Sequence, residues 1–218
     1  IAGSTSGVVL VYEKNVSDKW IKIGDTFTDE SSANLSGEVS INYDGSIVAM
    51  SGGAWSSREY VCVYERNANT WVLLGDTIIG VTGSAMFGYS FSLNDAGNVI
   101  AITATNDNSG TGSLSIYQLN GSSWELKGDI IYGESGQMMG WGTDISTDGN
   151  TVVVGSKYHS PSGTVSVYEY DEGTWSLKGS VLTGDGSNSH FGSDVSINSD
   201  GTIIAAGAPD GKDSEGII

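Results

Sequence analysis

In 218 residues the chain carries 32 glycines and two prolines. Val, Ile, Thr, Tyr and Trp cluster in short runs and no stretch has apolar residues at helical three-and-four spacing, which excludes a helical protein. Twenty-six acidic residues against nine basic ones give a net charge of −17, which repels nucleic-acid phosphates and anionic membranes and suits the solvated surface of a sheet protein. Nucleic acid is therefore not an expected partner, and with no apolar run near the roughly 18 residues that span a bilayer, neither is membrane insertion.

Along the chain, "IAGS" (1–4) has the character of the end of a strand. "GVVLVYE" (7–13) follows as an alternating strand, and Trp20 opens another at "WIKIGD". From residue 35 a unit runs through "LSGEVSINYDGSIVAMSG" (35–52), "EYVCVYE" (59–65) and Trp71 with "VLLGD". It recurs as "FGYSFSLNDAGNVIAITA" (87–104), "GSLSIYQ" (112–118) and Trp124, then as "MGWGTDISTDGNTVVVGS" (139–156), "GTVSVYE" (163–169) and Trp175. It begins once more at "FGSDVSINSDGTIIAAGAP" (191–209). The turn glycines Gly45, Gly97, Gly149 and Gly201 are each 52 residues apart, so the chain is a tandem array.

Each unit predicts four short antiparallel strands. The first alternates, as Val195 and Ile197 do with Ser196 and Asn198, and an Asp-Gly pair supplies positive φ angles for a tight hairpin. The second is apolar almost throughout, which predicts burial on both faces. A sheet of this kind cannot bury its own faces, so copies stack face to face, the arrangement of a β-propeller. The expected fold is all-β, with blades at 35–85, 86–137 and 138–189 and partial blades at 1–34 and 190–218. In each blade Phe-Gly provides a bulky anchor and a close backbone approach at the innermost strand. The four tryptophans are expected to pack between blades.

The halves 1–28 and 190–208 together hold the strands of one further blade. Closure of a four-bladed ring would place Val9 and Val11 in one sheet with Ile203 and Ala205. The sequence nevertheless continues through "DGKDSEGII", where Ile217 and Ile218 duplicate Val8 and Val9, so the expectation is an excerpt of a longer array.

These residues resemble the FG-GAP repeat family, best known from the propeller of integrin α subunits. The likeness rests on Phe87-Gly88, Met139-Gly140 and Phe191-Gly192, the turn glycines, "AAGAP" (205–209) and the recurring G-x-V-x-V-Y. It covers essentially the whole chain and is nearest to the multi-copy form of extracellular and cell-surface proteins. The family's calcium loop is not matched. Calcium needs about 6–8 oxygen ligands, and each turn here offers one carboxylate (Asp44, Asp95, Asp148, Asp200), with Val48, Ile100, Val152 and Ile204 where the last acidic ligand would stand. No metal and no cofactor are expected.

Chemistry is sparse in the sequence. His159 and His190 stand in different repeats, and Cys62, the single cysteine, excludes an intrachain disulfide. Asp144 and Asp194 lie on inner strands, but their aligned positions hold Ser92 and Gly142, so a catalytic carboxylate pair is not evident. The loops after the second strands vary most, and Trp55, Arg58, Tyr158 and His159 lie in them without counterparts, which makes them candidate ligand-binding residues. Trp141, aligned with Gly37, Tyr89 and Ser193, reads as packing. Asn15, Asn34 and Asn120 are sequons that a secreted protein could glycosylate.

The sequence thus predicts a non-enzymatic, extracellular or cell-surface glycoprotein module for adhesion, assembly or structural display. Its partner would be a protein or glycan on the variable-loop face, or neighbouring repeats or chains of one assembly. The alternative is a carbohydrate-binding or hydrolytic propeller using that same face.

Overall fold

The computed structural model describes residues 7–28, 35–53, 60–80 and 86–211. The first sheet is the antiparallel pair β1 (Val8–Lys14) and β2 (Trp20–Thr28). Three sheets on a common plan follow. One holds β3 (Leu35–Ile41), β4 (Ile47–Gly52), β5 (Tyr60–Asn67), β6 (Thr70–Leu73) and β7 (Ile78–Ile79). The next holds β8 (Phe87–Leu93), β9 (Val99–Ala104), β10 (Ser113–Asn120), β11 (Ser123–Leu126) and β12 (Ile131–Tyr132). The last of the three holds β13 (Thr143–Ile145), β14 (Thr151–Ser156), β15 (Thr164–Asp171), β16 (Thr174–Leu177) and β17 (Leu182–Thr183). The antiparallel pair β18 (Val195–Ile197) and β19 (Ile204–Ala206) completes the described chain.

Strands within each full sheet lie side by side in chain order, as expected, with one addition. The fourth strand is broken in two, and both parts pair with the third: β6 and β7 with β5, β11 and β12 with β10, β16 and β17 with β15. The break falls at the recurring glycine after the tryptophan strand. Two of the three glycines, Gly75 and Gly128, lie under an indole of the neighbouring sheet, whereas Gly179 meets nothing within 4 Å. The indole Nε1 of Trp124 donates to the Leu74 carbonyl (2.8 Å), and that of Trp175 to the Lys127 carbonyl (2.5 Å). The ring lies over the glycine that follows that carbonyl. A Cβ on Gly75 would stand 2.8 Å from Trp124 Cδ1, and one on Gly128 2.9 Å from Trp175 Cδ1, both too close for any side chain. Trp71 repeats the arrangement against Ile23 and Gly24. Trp20, by contrast, is 69% exposed.

The second strands β4, β9 and β14 are buried at every residue, which is the expected two-sided burial. Their side chains fill the cores between successive sheets. Ala49, Val61 and Val63 meet Phe91, Ile100 and Ile102, while Ala101, Leu114 and Ile116 meet Ile145, Val152 and Val154. Thin residues are needed because the inner backbones nearly touch: a Cβ on Gly140 would sit 2.7 Å from Thr103 Cβ. The residue before each anchor pair also adopts a left-handed backbone, at Met86, Met138 and His190 (φ 57°, 48° and 55°).

At the Asp-Gly hairpins only the glycine has positive φ (Gly201, 69°), so the expectation of positive φ for both residues is corrected. The aspartate serves differently: Asp200 Oδ1 accepts the Thr202 N–H and Asp148 Oδ1 the Asn150 N–H. These are Asx turns within the short connections 146–150 and 198–203. The end sheets β1–β2 and β18–β19 are separate, so Val9 and Val11 do not share a sheet with Ile203 and Ala205.

Candidate functional site

The inner strands β3, β8, β13 and β18 pack in succession, with Asp-Gly turns at one end and variable loops at the other. On the turn face the carboxylates are consumed locally. Asp44 Oδ1 accepts from Ser46 N, Ser46 Oγ and Asn42 Nδ2, and these bonds hold its carboxyl below the usual range. Among the described residues no three or more His, Cys, Asp or Glu side chains gather as a metal site.

Midway along the inner strands, Asp144 accepts hydrogen bonds from Ser92 Oγ (2.8 Å), Ser196 Oγ (2.9 Å) and Ile197 N (2.9 Å). It braces three inner strands, and its oxygens are engaged.

The loop face is different. Four rings form a row, each set edge-on to the next: Tyr89 to Trp141 at 4.9 Å between centroids, Trp141 to Tyr158 at 4.9 Å, and Tyr158 to His190 at 5.2 Å. Tyr89 and Trp141 are equivalent inner-strand positions of adjacent copies, while Tyr158 reaches in from the loop after β14. The ammonium of Lys157 lies over the Trp141 ring, 3.8 Å from its centroid, and 5.1 Å from that of Tyr158. His190 Nδ1 pairs with Asp210 Oδ2 at 2.5 Å, and Asp210 N donates to the Ser189 carbonyl, which fixes the loop after β19 against the start of the inner strand.

Two carboxylates complete the cluster. Glu38 on β3 is half-buried, and its carboxyl is pushed above the ordinary value by burial first and by the charge of Asp194 second. The phenol of Tyr89 is raised by burial, then by Tyr158 and Glu38. Glu38 and Tyr89 therefore share one electrostatic environment with the aromatic row. Trp141 Nε1 is buried and is without a hydrogen-bond partner among the described residues. Such an orphaned donor costs about 1–3 kcal/mol until an acceptor reaches it.

Of the residues singled out from sequence, Tyr158 lies in the row. His159 does not join it; its Nδ1 meets Thr164 Oγ1 at 3.2 Å. Trp55 and Arg58 lie outside the described residues, as does Asn34. Asn15 Oδ1 caps its own turn by accepting from Ser17 and Lys19, and Asn120 Nδ2 donates to Glu125 Oε2. Trp141, expected as packing, is central to the cluster. Sequence reasoning missed Glu38, Tyr89, Lys157, His190 and Asp210 as site residues. One signal was present: Glu38 precedes Asp194 by three periods of 52, so both occupy the register of Ser90 and Gly142.

No family model matches the chain, and no curated protein matches it. Solved structures do. One from Bacteroides uniformis, described as a "putative 6-phosphogluconolactonase", superposes with a TM-score of 0.63 at 10% identity over 94% of this chain. A second of the same description, from Bacteroides fragilis, gives 0.62 at 15% identity over 94%. The chain spans 58% of the length of each. At these identities the likeness establishes a shared fold. The two matches also correct the expectation of a non-enzymatic, extracellular or cell-surface module for adhesion or display: the neighbours that share this fold carry an enzyme description, with no adhesive or surface role in it.

Proposed function

We propose that the sheets are blades of an FG-GAP-type β-propeller whose loop-face mouth hydrolyses a small carbohydrate-like lactone, with Glu38 as general base. The observation that carries this is the pairing of a half-buried Glu38, raised by burial and by Asp194, with an aromatic row beside it. A raised carboxyl works nearer neutral pH as a base, and aromatic rings with a few polar groups among them are the usual lining of a small-molecule site. The enzyme description of the structures sharing the fold supports the same direction.

In this scheme Glu38 takes a proton from water as its oxygen attacks the lactone carbonyl. The ring C–O bond then breaks, and the departing oxygen takes the proton back, leaving a hydroxy acid. The test is acid release from D-glucono-1,5-lactone in a pH-stat, after subtraction of the spontaneous rate. Glu38→Gln should reduce the enzymatic rate by about 10²-fold or more. A rate no higher than buffer, or an undiminished variant, overturns the proposal.

A further inference from the structure

The charges at this mouth are unevenly matched. Glu38, Asp194 and Asp210 face it, while among the described residues the basic side chains beside it are committed, His190 to Asp210 and Lys157 to the faces of Trp141 and Tyr158. The acidic side chains at the mouth and the overall charge of −17 oppose the approach of a phosphoryl group. A cationic ligand meets a different obstacle. The buried Trp141 Nε1 is a donor and needs an acceptor, which an ammonium lacks. A sugar ring supplies both an apolar face for the aromatic row and oxygen acceptors for the indole.

Resting on the hydrolytic reading, we propose that the mouth selects an unphosphorylated polyhydroxy ligand, its ring laid on Trp141 and Tyr158 in the place the Lys157 ammonium holds, with a ligand oxygen accepting from Trp141 Nε1. The ligand thus differs in charge from the phosphorylated compound named in the description of the neighbouring structures.

The experiment is NMR titration of the full chain labelled at the tryptophan indoles, with the Trp141 signal identified by its loss in Trp141→Phe. D-glucose is expected to shift that signal and D-glucose 6-phosphate to bind about tenfold or more weakly. With the tyrosine rings labelled as well, Trp141→Phe should weaken the response of the Tyr158 ring to glucose by about fivefold with an unchanged melting temperature, as loss of one hydrogen bond predicts. Lys157→Met should leave glucose binding equal or stronger. Equal or tighter binding of the phosphate ester, its selective loss in Lys157→Met, or no shift at Trp141 with either sugar overturns the proposal. Because binding is read without turnover, lactone hydrolysis without these shifts defeats this inference alone. Shifts without hydrolysis defeat the hydrolytic reading and leave the ligand class standing.

Discussion

On the turn face, Asn42 and Asn94 do the same work in successive copies. Each accepts the backbone N–H five residues on with Oδ1, at Ile47 and Val99, and reaches the next copy's turn with Nδ2, at the Asp95 and Thr147 carbonyls. Ser146 and Asn198 accept in the same manner from Thr151 and Ile203. At the other end of the same strands the corresponding positions read Gly37, Tyr89, Trp141 and Ser193, and no two copies agree. Every copy needs a turn, so the turn repeats. No turn is demanded at the loop end, so the residues there are free to differ.

The largest test of this contrast concerns the joints between sheets. Trp175 is 9% exposed and bonded to Lys127 O, so Trp175→Ala should lower stability by about 3–5 kcal/mol in urea unfolding. Trp20→Ala, at a residue of the same motif that stands 69% exposed, should change it by less than about 0.5 kcal/mol. Equal effects would show that the joints do not hold the stack together.

Asn94→Ala comes next. It leaves the N–H groups of Asn98 and Val99 without their acceptor and should cost about 2 kcal/mol. The same change at the less buried Asn198 should cost about half as much in the same assay. On the loop face, Tyr158→Ala should alter stability by less than about 1 kcal/mol, since Tyr158 is 47% exposed, while abolishing the glucose shift at Trp141. A large loss of stability there would make the aromatic row a packing element.

The smallest effect is pH-dependent. Glu38 has a folded-state value above the ordinary 4.5, so the fold favours its protonated form. Its contribution is fully present below 4.5 and is lost as pH rises through the raised value. Glu38→Gln keeps an uncharged group throughout. The variant should therefore gain on the parent between pH 4 and pH 8, and a constant difference in unfolding midpoint would contradict the assigned burial.

The fold was legible because packing demands recur with the period. Apolar second strands, a tryptophan and a glycine at fixed offsets appear in copy after copy, and the face-to-face cores follow from them. The seating of each indole was not legible, since Trp124 and Trp175 are received by Leu74 and Lys127 of another sheet, about 50 residues earlier. The site was legible only in part. Tyr158 stood out as an aromatic in a variable loop, but His159, selected on the same ground, turns to Thr164. Tyr89, Trp141 and His190 look unrelated until the inner strands bring them together.

The indoles of Trp71, Trp124 and Trp175 are each received by a main-chain carbonyl and by a glycine, features that recur from joint to joint. The indole joint therefore makes no demand on which copy stands beside it; that demand comes from the apolar cores, where Ala49, Val61 and Val63 meet Phe91, Ile100 and Ile102, and from the Asp144 brace. Adhesion between sheets and choice of neighbour are thus carried by different groups.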